Sequence, residues 1–194
     1  MRIEIWSDVV CPWCFIGKRR LEAALQRFAH RDDVELIWRS FELDPGAPAA
    51  REGDYASRLA EKYGRSVPEA QKMIDSMAAA GAADGLDLRF DIARAGNTFD
   101  AHRLLHLAAE RDTQGALKER LFQAYFTEGE AIADHDTLVR LAGEVGLEPT
   151  GVESVLGEGT YADAVRSDEE RARRYGIAGV PFFVVDEKFG VSGA

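Results

Sequence analysis

The chain has 194 residues, 46% of them hydrophobic and 30% charged, with a formal net charge of −10. That length and mix read as a soluble globular protein, either one well-cored domain or a domain carrying a large insertion. No run approaches ~18 apolar residues, which excludes a membrane-spanning helix, and the acidic balance argues against nucleic acid or anionic membranes as partners.

The first predicted element is a strand opening at Ile3-Glu4-Ile5-Trp6, rich in β-branched and aromatic residues. The start Met1-Arg2-Ile3-Glu4 lacks a basic region followed by a removable apolar segment, so no secretory signal and a cytoplasmic location are expected. The strand runs through Val9 and Val10 into Cys11-Pro12-Trp13-Cys14, which holds the only two cysteines in the chain. In a reducing compartment such a lone pair is more readily catalytic than structural.

A long amphipathic pattern follows, with no glycine after Gly17, so the cysteines belong where a strand hands over to a helix. The first turn of a helix carries unpaired N–H groups and the positive end of the dipole, both of which favour a thiolate. Cys11 is therefore expected to titrate below the free value of ~8.5. Pro12 suits the first helical position. Cys14 is expected to lie about one turn on, close enough for a disulfide and the more covered of the two. The implied chemistry is a two-step exchange in which Cys11 forms a mixed disulfide and Cys14 resolves it. Structural zinc needs four ligands; His30, His102, His106 and His135 offer no partner spacing, so no metal is expected.

The helix repeats through Leu21, Ala24, Leu25 and Phe28 and is expected to end near His30. A second strand over Val34 to Leu43 completes a β-α-β unit whose crossover makes the strands parallel. From Asp44 the composition changes, and helix signals occupy 54–63, 67–80, 98–112, 115–127, 135–145 and 161–175, with a short one near 149–156. Ser66 to Glu69 reads as a capping box, and Thr160 to Asp163 as a weaker one. Leu104, Leu105, Leu107 and Ala108 read as core, as do Phe122, Tyr125 and Phe126, while the run Arg166 to Arg174, with Asp168, Glu169 and Glu170 inside it, reads as a solvated helix face. Gly179 to Asp186 is a short apolar strand, with Phe189 to Ser192 as its antiparallel partner. Three segments result: 1–44, a β-α-β unit; 45–175, a helical insertion; and 176–194, a hairpin. A terminal covering helix is expected to be absent from this chain.

The opening W-S-D-V-V-C-P-W-C-F-I-G-K-R-R, the segment Arg39 to Pro45, Asn97 with Ala101 to Leu105, and the closing G-V-P-F-F-V with V-S-G-A together resemble the DsbA-like superfamily of the thioredoxin fold. Within it they are most similar to the FrnE-type cytoplasmic branch, which is related to kappa-class glutathione transferases and 2-hydroxychromene-2-carboxylate isomerases. The resemblance implies an α/β, thioredoxin-like fold with a large all-helical insertion between the β-α-β unit and a cis-Pro strand. It implies that Pro181 follows a cis bond in a loop packed on the cysteines, and that the Val180 backbone pairs with a bound peptide or glutathione. The expected site is Cys11 and Cys14 as the catalytic pair, with Pro12, Trp13, Val180, Pro181, Asn97 and His102 toward substrate. No cofactor is required; glutathione is a candidate co-substrate, and the partners are protein or small-molecule thiols and disulfides.

Two departures stand out. Relatives often carry a buried carboxylate six residues before the first cysteine, where this chain has Ile5; Glu4 is one residue off and turned to the opposite face. The Pro-Trp dipeptide lacks the histidine of strongly oxidising relatives, so a strongly oxidising potential is not expected. The leading expectation is a thiol-disulfide oxidoreductase or isomerase, with a glutathione-dependent isomerase or transferase of small aromatic compounds as the alternative. A non-enzymatic helical binding module is the third reading.

Overall fold

In the computed structural model, which describes residues 1–194, the sheet order is β2-β1-β3-β4. Strand β1 (Arg2–Ser7) runs parallel to β2 (Glu35–Ser40) and antiparallel to β3 (Phe182–Val185), and β4 (Phe189–Ser192) closes a hairpin outside β3. A strand inside such a sheet is covered on both faces and reads as a near-continuous apolar run. Accordingly, Ile3 and Ile5 pack with Trp38 beside Leu21 of α1 (Pro12–Gln26), while Trp6 packs with Ala172, Ile177 and Val184 on the other side.

Helix α1 stops one turn earlier than its pattern suggests. The Arg27 N–H already bonds to Ala24 and Leu25, and a 3-10 turn at Arg31–Asp33 brings the chain back to pair Glu35 with the Met1 carbonyl. Phe28, read as part of the apolar stripe, is consequently 40% exposed.

Seven helices fill the span between β2 and β3: α2 (Tyr55–Tyr63), α3 (Val67–Ala83), α4 (Phe99–Ala109), α5 (Gln114–Gln123), α6 (His135–Glu144), α7 (Pro149–Glu158) and α8 (Ala162–Arg174). The Ser66–Glu69 capping box is formed, with the Glu69 carboxylate accepting from the Ser66 N–H at 2.9 Å. The weaker box at Thr160 is not. Helix α8 is instead entered through Tyr161 at φ 65, whose ring stacks on His106. Helix α5 ends in a π turn, Ala124–Glu128, closed by Gly129 at φ 69, where a Cβ would press within 2.7 Å of the Ile92 carbonyl.

The insertion is not a separate body. Its core, including Leu104, Leu117, Leu121 and Phe126, is continuous with Cys11, Cys14 and Phe15, and Phe15 stacks on Phe122 at 4.8 Å between centroids.

The charge run of α8 corrects its sequence reading, because its acidic and basic groups seam the helix to the sheet. Buried Asp168 accepts from the Ser40 N–H at 3.0 Å and from Arg39 at 3.1 Å, and its carbonyl takes the Trp6 indole N–H at 2.9 Å. Arg171 reaches Glu4 at 2.8 Å and Arg166 reaches Glu42 at 2.5 Å, and both carboxylates are almost fully buried. Ser167, Glu170, Arg173 and Arg174 face water, and Arg166 is half exposed while its guanidinium reaches inward.

Candidate active site at the start of helix α1

Cys11 is the N-cap of α1, with extended backbone (φ −95, ψ 113), and Pro12 follows in the first turn. The Cys11 carbonyl accepts from the Cys14 and Phe15 N–H groups at 3.0 and 3.3 Å, so the helix begins at the first cysteine. Both cysteines are free thiols. Cys11 is 4% exposed and lines a cavity of about 1100 Å³; Cys14, 1% exposed, lies behind it and does not. That difference assigns the outward thiol to the first cysteine.

The Val180–Pro181 peptide is cis, and the Val180 carbonyl accepts from Cys11 Sγ at 3.5 Å. Gly17 makes the approach of this loop possible: a Cβ there would stand 3.2 Å from Pro181 Cγ and 3.3 Å from Ala194 Cβ. Trp13, 37% exposed, sits on the rim of the cavity.

The expected downward shift of the Cys11 thiol is not what this geometry produces. The hydrogen bond with Cys14 pushes it up, burial and charge on Cys14 add to that, and the Cys14 N–H pulls only partly back. Asp8 adds a further upward push. Two sulfurs in hydrogen-bond contact titrate as a pair.

Asn97 and His102 are not brought to the cavity. The Asn97 side chain is spent on backbone, donating to the Ala47 carbonyl at 3.1 Å and accepting from the Phe99 N–H at 2.8 Å, so it fixes the entry to α4. His102 is fully buried beneath the site, with Nε2 3.4 Å from Asp8 Oδ1. Burial holds the imidazole below its ordinary value despite Asp8. Burial alone would raise the Asp8 carboxyl, but the hydrogen bonds from His102 and from the Leu43 N–H, the latter at 2.7 Å, hold it below the ordinary carboxylate value. Asp8 is thus an ionised carboxylate beside the dithiol.

Sequence reasoning missed several groups. Asp8 was part of the motif but had no partner visible nearby in the chain. The cavity wall opposite Cys11 comes from α2 and α3: Tyr55, Leu59 and Met77 are its apolar part, and Arg58 and Lys62 its cations. Lys118 was legible in principle as a charge inside the apolar pattern Leu117, Leu121, Phe122. It is fully buried.

Residues 2–194 match the family model described as DSBA-like thioredoxin domain. A crystal structure of a probable DsbA oxidoreductase from Streptomyces coelicolor superposes with a TM-score of 0.94 at 47% identity, covering 100% of this chain and 83% of that one. The uncharacterized protein YwbO of Bacillus subtilis is 31% identical over 190 residues, 96% of this chain and 88% of that protein. The cytosolic disulfide reductase DsbM of Pseudomonas aeruginosa, solved with GSH, shares the fold at a TM-score of 0.70 and 17% identity, covering 99% of this chain and 90% of that one. A thiol pair at a helix start, a four-stranded sheet of this order and a helical insertion thus coincide with a match over nearly the whole chain, and the chain belongs to the DSBA-like thioredoxin domain family of oxidoreductases.

Proposed function

We propose that this protein is a cytoplasmic, FrnE-type thiol-disulfide oxidoreductase in which Cys11 exchanges with substrate and Cys14 resolves. The observation that carries the reading is the unequal placement of two interacting thiols, one on the cavity wall and one behind it.

In the reducing direction, the Cys11 thiolate attacks one sulfur of a substrate disulfide, that bond breaks, and the departing sulfur leaves as a thiolate that takes up a proton. Cys14 then loses its proton and attacks Cys11 Sγ, releasing the second substrate sulfur; two electrons have passed to the substrate and an internal disulfide remains. The reverse sequence oxidises a dithiol. Glutathione suits the return of the disulfide to the dithiol, a role supported by the GSH-bound state of DsbM. The Val180 backbone beside Cys11 is the edge on which an extended peptide or glutathione would align, with exposed Trp13 as an apolar platform.

Equilibration in glutathione buffers of graded ratio, followed by acid quench, alkylation and intact mass, tests the reading. Wild type is expected to pass between dithiol and internal disulfide in one two-electron step, and Cys14→Ser to accumulate a glutathione adduct on Cys11. If no internal disulfide forms at any ratio, the mechanism is wrong, and the glutathione-dependent isomerase or transferase reading takes its place.

A further inference from the structure

The cavity on which Cys11 opens has a neighbour. A second chamber of about 380 Å³ adjoins it, and Ala50, Arg51, Arg58 and Ala95 line both. The two spaces differ in charge. Asp8, Glu42, Asp44, Glu52 and Glu61 all stand in the wall of the Cys11 cavity. The smaller chamber has Arg51, Arg58 and Arg94 and no acid, the rest of its wall being alanines and Gly53. Small side chains leave its volume open, and close backbone packing fixes its walls. The Arg51 N–H donates to the Ala95 carbonyl at 3.1 Å, and a Cβ on Gly96 would stand 2.4 Å from the Ala49 carbonyl oxygen.

In a chain with 34 acidic and 24 basic residues, an arginine without a carboxylate needs a reason. The acids nearest these arginines in the sequence are committed elsewhere. Asp44 pairs with Arg51. Asp54, four residues before Arg58, caps α2 instead, accepting from the Ser57 N–H and hydroxyl at 2.8 Å each. Asp91 is held by Arg89 at 3.0 Å and Glu130 by Arg140 at 2.6 Å. Arg58 and Arg94 are left with no ion pair. Arg58 Nη1 donates to the Gly53 carbonyl and its guanidinium lies 5.7 Å from the Tyr55 ring, but Nη2 is buried with no acceptor. A buried donor left unpaired is costly, and this one belongs to the side chain that borders both spaces.

We infer that the arginine chamber is an anion subsite of the exchange site, in which Arg58, assisted by Arg94, receives the carboxylate of a small thiol or disulfide whose sulfur is at Cys11. This rests on the dithiol reading above. A guanidinium matches the two oxygens of a carboxylate with parallel N–H bonds, and thiols built from cysteine carry their negative charge as carboxylates. The chain as a whole, at −10, repels anions, so selection for one has to be local. It is made where the acids are absent. The two arginines set specificity and leave the exchange itself unchanged: the bond to Cys11 Sγ forms as the substrate S–S bond breaks, and one substrate thiolate departs.

The test uses the Cys14→Ser protein, which holds the adduct on Cys11. Straight-chain ω-mercapto acids and their primary amides, in a series of increasing chain length, are each presented with their own disulfide at a fixed ratio. Intact mass reads the fraction of Cys11 in mixed disulfide, and a blocked cysteine run beside it supplies the intrinsic acid-to-amide ratio. Relative to that reference, the acid is expected to be favoured about five- to tenfold once the chain is long enough to reach Arg58. Adding Arg58→Gln is expected to bring the ratio to unity or below while the amide adducts stay as they were, which shows that the fold and Cys11 are intact. Arg174→Gln, which removes the same charge from the exposed end of α8, is expected to leave the preference in place. Acid and amide bound equally at every length overturn the inference, as does a preference that Arg58→Gln does not move or that Arg174→Gln reduces as much. Failure of Cys11 to take up any probe, acid or amide, would instead defeat the exchange reading itself, so the two failures are separable.

Discussion

A buried charge costs stability, and the size of that cost at Lys118 can be worked out. Its ammonium is lowered by burial from an ordinary 10.5 to about 8, a difference worth roughly 3 kcal/mol. The sign follows from the unfolded chain holding its proton to higher pH than the folded one. Below about pH 8 both states are protonated and the folded state bears the whole penalty, which fades as the pH rises toward 10.5. Lys118→Met removes it at neutral pH. Against that gain stand a carbonyl at Ser7 left without its donor, about 1 kcal/mol at the low end of the usual range, and the lost attraction of the cation for Trp38 and Phe122, which a thioether largely restores. The net expectation for the dithiol form at pH 7 is a stabilisation of about 1–2 kcal/mol, read by urea unfolding with linear extrapolation. A Met variant that is less stable than wild type by about 1 kcal/mol or more at pH 7 would refute the reasoning, since burial would then be no burden on that amine.

Three further outcomes follow from the geometry. Asp168→Ala leaves the Ser40 N–H and Arg39 without a buried acceptor and is expected to cost about 3 kcal/mol or more in urea unfolding, far above a solvated helix face. Asp8 is held below its ordinary 3.8 in the folded state, so its ionised form contributes stability above about pH 4 that is lost as the pH falls through the lower folded value. The stability gap between wild type and Asp8→Asn is therefore expected to close in acid, as unfolding series from pH 7 to pH 3 would show. At Gly17 a Cβ would stand 3.2 Å from Pro181 Cγ, so the loop must give by a few tenths of an ångström to accept it. There Gly17→Ala is expected to be near neutral, helix propensity offsetting the tight contact, while the branched Gly17→Val costs about 1–3 kcal/mol by thermal unfolding.

The elements were legible where the chain states them locally. The strand-to-helix handover at Cys11, the seven helical patterns and the closing hairpin each have their period or cap in the sequence itself. What was not legible depends on segments far apart meeting. Asp168 looks solvated inside Arg166 to Arg174 until Ser40 and Arg39, some 130 residues earlier, present donors to it. His102 looks like a surface or substrate histidine until Asp8, 94 residues away, buries it. The Cys11 thiol was expected low from the helix start alone; the opposing push comes from Cys14, from burial under the insertion and from Asp8, none of which the helix dipole argument contains.

The register of β1 decides where its one carboxylate goes. Alternation along the strand sends Glu4 to the α8 face, where Arg39 and Arg171 hold it, and sends Ile5 to the α1 face. A carboxylate at Ile5 would set a second anion near Asp8 and the thiols, and like charges in one buried site push both thiol protons further up. The helices of the insertion do more than wall the cavity: α2 and α3 line it, α4 places His102 under Asp8, and α5 sets Lys118 on the Ser7 carbonyl. The β-α-β unit alone would hold the same two cysteines without the cavity they open on.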